Sequence, residues 1–383
     1  MSQLGGYGGY GGYGGYGGYG GYGGYGGYAG GPGSLGDVFA NPLVCTALIA
    51  SRDGTNDPDD IVRTPLAAPF NKPDNFPRWE AWVRSHVLQW ELCKGIDVVA
   101  TDAISGAVAK VELKAGGQVI ATLNRPGVPF FKNQVPLVLS WADMRVERTP
   151  EILAQIDNQF AFVSAITGLH PERHRLTVEF LVNAIQFTVL IEMQFKHMLA
   201  CWRPHQYSAQ VQPMITTPGH GSFPSGHSTQ AFVLARLMDA ILPAASTTTE
   251  FDGARIQLYR QAARIACNRV IAGVHFPADS VAGRLLGHSI AEYILARLGL
   301  SMISIGKTDE VIPRSFTPNT ATAKTLDLDI LDSVTVAGTY AGNNYTIANA
   351  VQVGASLNDK TKHTLAKLWD SGTDERKALP PRV

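Results

Sequence analysis

Four things are missing from this chain of 383 residues: an excess of one charge, paired cysteines, an unbroken apolar span and a secretory leader. Its 32 Lys+Arg stand against 32 Asp+Glu, so no global basic field exists to attract a phosphate backbone, and no nucleic-acid partner is expected. Cys45, Cys93, Cys201 and Cys267 lie far apart with no Cys-x-x-Cys pair, which argues against a thiolate metal site and against a disulfide framework. The most apolar stretch, Leu176 to Trp202, is interrupted by Glu179, Asn183, Gln186, Glu192, Gln194 and Lys196. It falls short of the ~20 apolar residues that a bilayer demands and reads as a helix inside a protein core, with no membrane span. Met1-Ser-Gln-Leu carries no basic region, apolar stretch or cleavage site. A cytoplasmic location is the default expectation, with non-standard secretion left open.

What is present divides the chain into four stretches. Residues 5–28 are eight Gly-Gly-Tyr triplets. Glycine loses the most backbone entropy on ordering and brings no side chain to offset it, so 1–34 reads as a disordered tail outside the fold. Two glycines in each triplet and no proline exclude a collagen helix. Residues 35–148 form an extension that begins in Asp/Pro/Asn-rich sequence. It continues with Trp79, Trp82, Val83, Val87 and Trp90 at helical spacing, then alternates apolar and polar residues on either side of Gly116-Gly117, the mark of a hairpin. A helical core is expected over 149–300. Its helices run from Thr149-Pro150 to Ile166, Pro171 to Cys201, Ser225 to Ile241, Phe251 to Ala272 and Pro277 to Leu298. A C-terminal extension over 301–383 is irregular apart from a short helix near Lys360–Trp369. The fold class is therefore mainly α, a helical bundle with a small β-hairpin and irregular extensions.

Three clusters on those helices carry chemistry. Lys196 and Arg203 are seven residues apart; at about 100° per residue this falls within ~20° of two turns and puts both cations on one helix face, with Pro204 ending the helix. Pro224-Ser225-Gly226-His227 opens a helix after a Gly/Ser loop, where free N–H groups and the positive dipole end favour an anion. Gly226 permits close approach and Ser225 adds a hydroxyl. Arg269, His275 and Asp279 span a helix end, a turn and the next helix start, so that Asp279 can fix the tautomer of His275. Each cluster by itself is weak, since paired cations often form a solvated face and a lone His is usually structural. Together they supply three cations, two histidines, a serine and a helix N-terminus, which suits a tetrahedral oxyanion.

These residues resemble the superfamily of type 2 phosphatidic acid phosphatases, bacterial acid phosphatases and vanadium-dependent haloperoxidases. Its signature is K-x6-R-P, P-S-G-H and S-R-x5-H-x3-D, matched at Lys196, Arg203, Pro204, Pro224, Ser225, Gly226, His227, Arg269, His275 and Asp279. Asn268 stands where the family usually has Ser, at a position peripheral to the anion. The resemblance covers about residues 150–300 and implies a bundle of the acid phosphatase/haloperoxidase type.

Two activities share that signature. The haloperoxidase reading implies a vanadate cofactor bonded through His275, the metal ligand, with Lys196, Arg203, Arg269, Ser225 and Gly226 holding its oxygens. His227 then acts as acid/base, Lys196 polarises hydrogen peroxide, and halide is the second substrate. The phosphatase reading needs no cofactor: His275 attacks a phosphate monoester to give a phosphohistidine, Asp279 stabilises the imidazolium and His227 protonates the leaving alcohol. Lipid phosphatases of the family resemble six-span membrane proteins and the soluble phosphatases resemble exported ones, so the resemblance favours haloperoxidase. His220, five residues before Ser225, is a halide-rim candidate that resembles bromide-oxidising members, and Trp202 either walls the pocket or belongs to the core. A third reading makes the chain a structural or adhesive protein acting through its Gly-Gly-Tyr tail. The sequence leaves the oligomeric state open, a homo-oligomer included.

Overall fold

The computed structural model describes residues 42–55, 70, 72–102, 109–157, 159–242, 251–300, 309–326, 338–340, 344–354, 363–377 and 379. The Gly-Gly-Tyr tail lies outside the described residues. Beyond a first helix, Pro42–Thr55, the principal helices are α1 (Ala81–Cys93), α2 (Val128–Trp141), α3 (Arg145–Ala154), α4 (Phe160–Thr167), α5 (Arg175–Leu199), α6 (Gly226–Ile241), α7 (Phe251–Ile271), α8 (Pro277–Arg297) and α9 (Thr364–Ser371).

Helices α6 and α8 sit at the centre, and almost every residue of each is buried. A helix with apolar residues all round must be enclosed by others, and α5 and α7 do so from two sides of α6. Phe187 of α5 stacks on Tyr293 of α8 at 5.9 Å, and Phe180, Phe195, Leu234 and Ile290 complete that part of the core. Each such side chain contributes roughly 1.5–3 kcal/mol on burial. One helix among the described residues is long and apolar enough to cross a membrane, the segment that begins with α5. Of its most apolar window, 56% is buried inside the protein, as in a core helix.

The central pair approaches closely because α8 carries glycine where it crosses the start of α6. A Cβ on Gly283 would stand 2.6 Å from Ser225 O and 2.9 Å from Ser228 Cβ. Gly283→Ala is therefore expected to cost about 1–3 kcal/mol of stability through overpacking. It should also weaken oxyanion binding by displacing Ser225, which thermal denaturation and an orthophosphate titration would check together.

The strands are β1 (Ile96–Thr101), β2 (Lys110–Ala115), β3 (Gln118–Asn124), β4 (Glu310–Val311), β5 (Arg314–Phe316), β6 (Gly338–Tyr340), β7 (Tyr345–Ile347) and β8 (Val351–Gln352). The expected hairpin is β2–β3, but it belongs to a six-stranded sheet ordered β1-β2-β3-β5-β7-β6. β3 pairs in parallel with β5, so both extensions build one sheet. The C-terminal strands are two or three residues long, too short to show an alternating pattern in sequence.

Several expected boundaries shift. The helix anticipated over 149–166 is two, α3 and α4, and Pro150 lies inside α3 rather than at its first position. In α1 the tryptophan stripe is not the buried face: Trp82 and Trp90 are exposed, and Arg84, Ser85, Leu88, Glu91 and Leu92 are buried. Polar contacts choose that face. Arg84 makes a two-pronged bond to Glu179 of α5, both prongs at 2.6 Å. Glu91 receives Thr364 N and Leu365 N at 2.8 Å, capping the start of α9.

Candidate active site

Helix α5 ends at Leu199, where Ala200 takes a left-handed conformation at φ 45°. Lys196 and Arg203 therefore do not share a helix face. A residue before proline is pushed out of the α region, and Arg203 is extended at φ −86°. Its side chain crosses to the loop after α7, with Nη1 donating to Val274 O at 2.8 Å and Nε to His220 O at 3.3 Å. The two cations converge through this turn.

Ser225 caps α6, accepting Ser228 N at 3.5 Å, and Gly226 and His227 follow in its first turn. The structure gives Gly226 a neighbour that the sequence did not suggest: a Cβ there would stand 2.7 Å from Glu192 Oε1. Glycine at this position makes room for a buried carboxyl of α5.

His275 lies in the turn between α7 and α8, with Pro277 opening the latter. Asp279 in the first turn of α8 accepts three bonds on Oδ2: from Phe276 N at 2.9 Å, from His275 Nδ1 at 3.0 Å and a short one from Ser222 Oγ. With Nδ1 donating, the lone pair of His275 is on Nε2. Burial, then Arg203 and Lys196, push the His275 pKa well below its ordinary value, so the ring is neutral. Burial raises the Asp279 carboxyl, against the bond from Ser222.

His227 Nε2 donates to Gln155 O at 3.0 Å, which leaves Nδ1 as the acceptor, and burial and then Arg269 keep this ring neutral as well. Arg269 is anchored through Nη2, which donates to Ile152 O at 3.0 Å and to Gln155 Oε1 at 3.3 Å. Its Nε and Nη1 are buried with no partner among the described residues. Buried guanidinium donors left unbonded are costly, and a bound oxyanion would satisfy them.

Arg203, His220, Gly226, His227, Arg269 and His275 line one pocket together with Glu192, beneath a rim of Ile215, Thr216 and Pro218. Lys196, Ser225 and Asp279 stand behind this lining. Lys196 Nζ gives its hydrogens to backbone carbonyls, Gly221 O at 3.2 Å, Ser222 O at 3.3 Å and Pro224 O by a short contact. It acts on the pocket through its charge. Burial pushes its pKa down, opposed by the Glu192 carboxylate. His220 is half-buried on the pocket side, its Nδ1 3.3 Å from Arg203 Nη2, and burial pushes its pKa down to about 3. Trp202 is 61% exposed and is neither pocket wall nor core; the turn that brings Arg203 inward leaves its neighbour outside.

Two participants escaped the sequence reading. Glu192 sits one helical turn before Lys196, a spacing that places both on one face and that could have flagged it. Gln155 gave no signal, because its role depends on where α3 packs. Asn268 is fully buried, not peripheral to the packing, and donates to Gln155 Oε1 at 2.9 Å and to Glu151 Oε2 at 3.1 Å. Gln155→Leu removes the acceptor shared by Asn268 and Arg269. It is expected to weaken orthophosphate binding about tenfold through misplacement of Arg269, measurable by calorimetric titration. His174 precedes α5 and accepts His170 N at 2.9 Å, so this pair serves the turn.

The result is a buried, cation-lined pocket at a helix N-terminus with two neutral histidines, a donor set that suits an oxyanion. Residues 177–299 match the model of the PAP2 superfamily, which covers the signature-bearing helices α5 to α8. That match supports phosphatase-type or haloperoxidase-type activity at the level of the superfamily. No curated protein matches the chain.

Proposed function

We propose that this chain is a haloperoxidase-type enzyme that uses vanadate to oxidise halide, bromide in particular, with hydrogen peroxide. The observation that carries the reading is the burial of the centre. Arg203, His227, Arg269 and His275 are between 1% and 6% exposed beneath the 215–220 rim, which suits small reactants such as peroxide and halide better than a bulky ester.

The residues fit the cofactor: Arg269 Nε and Nη1 are free for oxyanion oxygens, and the lone pair of His275 Nε2 is free for the central atom. Bound vanadate would supply Lewis-acid activation of peroxide towards halide. Asp279 holds the His275 tautomer, and Arg203 and Lys196 contribute positive charge. Gly226 N–H and Ser225 lie at the α6 N-terminus, where the helix dipole favours an anion. The Nδ1 of neutral His227 would accept a proton from hydrogen peroxide and later give it back. His220, neutral on the pocket side, borders the approach of halide.

Purified protein assayed with and without orthovanadate tests this. Bromination of a phenolic dye by peroxide and bromide should require vanadate, while hydrolysis of p-nitrophenyl phosphate should be slight. Hydrolysis that vanadate inhibits, without bromination, would instead identify a phosphatase using His275 as nucleophile. Inactivity in both would return attention to the Gly-Gly-Tyr tail.

A further inference from the structure

The buried carboxyl of Glu192 belongs to none of the three signature clusters, yet it lines the same pocket. Its Oε1 accepts Gln230 Nε2 at 2.9 Å, and its Oε2 is buried with no partner among the described residues. Glu192 itself is fully buried. Lys196, one helical turn further on, spends its hydrogens on carbonyls of the 221–224 loop. A pocket rich in donors and positive charge, whose other side-chain acceptors include the neutral ring nitrogens of His227 and His275, thus contains one carboxyl oxygen that must either accept a hydrogen from its ligand or carry one itself.

We propose that Glu192 is a specificity-determining residue of the pocket, selecting oxyanions that carry a proton over oxyanions that do not. This rests on the reading of the pocket as an oxyanion site. An ionised carboxylate beside an anion oxygen repels it unless a single proton lies between them. Hydrogen phosphate and hydrogen vanadate bring that proton. Sulfate, a dianion of similar size, cannot, so its binding requires the Glu192 carboxyl to take a proton from solvent.

Burial raises the Glu192 carboxyl well above the usual carboxylate range, and Lys196 opposes the rise. Each pH unit above the carboxyl's own pKa then weakens sulfate by about tenfold relative to hydrogen phosphate. The charged and titratable groups around Glu192 are Lys196 on its own helix, His227 on α6, Arg203 and His220 from the rim side, and Arg269, His275 and Asp279 from the α7–α8 turn. Their charges act on both dianions alike, and His227 and His275 stay neutral over the range tested, so the change of the affinity ratio with pH isolates the proton that Glu192 shares.

The test titrates the full chain with orthophosphate and with sulfate by calorimetry, at about pH 7 and about pH 8.5, in wild type and in Glu192→Gln. In wild type the preference for phosphate is expected to grow by about tenfold or more between the two conditions. In Glu192→Gln, whose amide always carries hydrogens, the ratio should be small and nearly independent of pH, through gain of sulfate binding. Should Glu192→Gln fail to fold, Glu192→Asp, which draws the carboxyl back by one methylene, should show a reduced pH dependence of the ratio. Wild-type binding of both anions with a ratio unchanged in the variant overturns the role of Glu192 and leaves the oxyanion pocket intact. Failure of wild type to bind orthophosphate overturns the pocket reading, and the proposal with it.

Discussion

Replacing His275 with alanine is expected to lower vanadate-dependent bromination by at least about a thousandfold, in line with the loss of a residue that acts as a unit with its partners. The side chain offers the only neutral ring nitrogen in the pocket, among the described residues, whose other nitrogen is held by a carboxylate, Nδ1 to Asp279 Oδ2 at 3.0 Å. Its removal leaves the surroundings bonded. Asp279 Oδ2 keeps Phe276 N at 2.9 Å and Ser222 Oγ, so the expected stability loss is only about 1–3 kcal/mol. The variant should melt as one cooperative unit while losing turnover. Any phosphate-ester hydrolysis by wild type should vanish in the same variant, because that reaction would need the same nitrogen as nucleophile. Substantial residual turnover of either kind in folded His275→Ala would mean that the chemistry lies elsewhere.

The second large effect is expected at Arg269. Its guanidinium is held at one end by Ile152 O and Gln155 Oε1, while Nε and Nη1 have no partner among the described residues. Burial pushes its pKa down to about 10, which still leaves it charged at neutral pH. Arg269→Lys keeps the charge, gives up the fork and loses the anchor. At about 1.5–3 kcal/mol for a hydrogen bond to a charged group, orthophosphate affinity should fall by about a hundredfold. Arg203 presents a contrast, since its nitrogens are already engaged by Val274 O and His220. A loss below about threefold in Arg269→Lys would show that its free donors do not meet the ligand.

Much of this was legible in the sequence, and the exceptions have physical causes. The long helices α6, α7 and α8 follow apolar periodicity and Pro277 closely, and Gly226, His227, Arg269 and His275, on them and in the turn between α7 and α8, line one pocket. Arg203 reaches the pocket for a different reason than heptad spacing: the residue before Pro204 cannot be helical, and the chain turns at Ala200. Trp82, Trp90 and Trp202 look like core by type but are exposed. The faces they would have occupied are taken by paired charges such as Arg84–Glu179, whose worth depends on a partner ninety-five residues away. The same holds for Gln155, which reaches His227 and Arg269 only once α3 has packed on α7. Glu192 could be read as an interruption of an apolar helix; that it faces Gly226 is a fact of helix packing. The C-terminal extension joins the sheet where β5 pairs with β3 across almost two hundred residues, which no local pattern encodes.

The most direct test of the central claim, that these helices form one oxyanion centre at His275, is to titrate purified protein with orthovanadate by equilibrium dialysis, with and without competing orthophosphate. A single site that orthophosphate displaces, and that His275→Ala abolishes, is the expected result. No binding, or binding indifferent to both orthophosphate and His275, would contradict it.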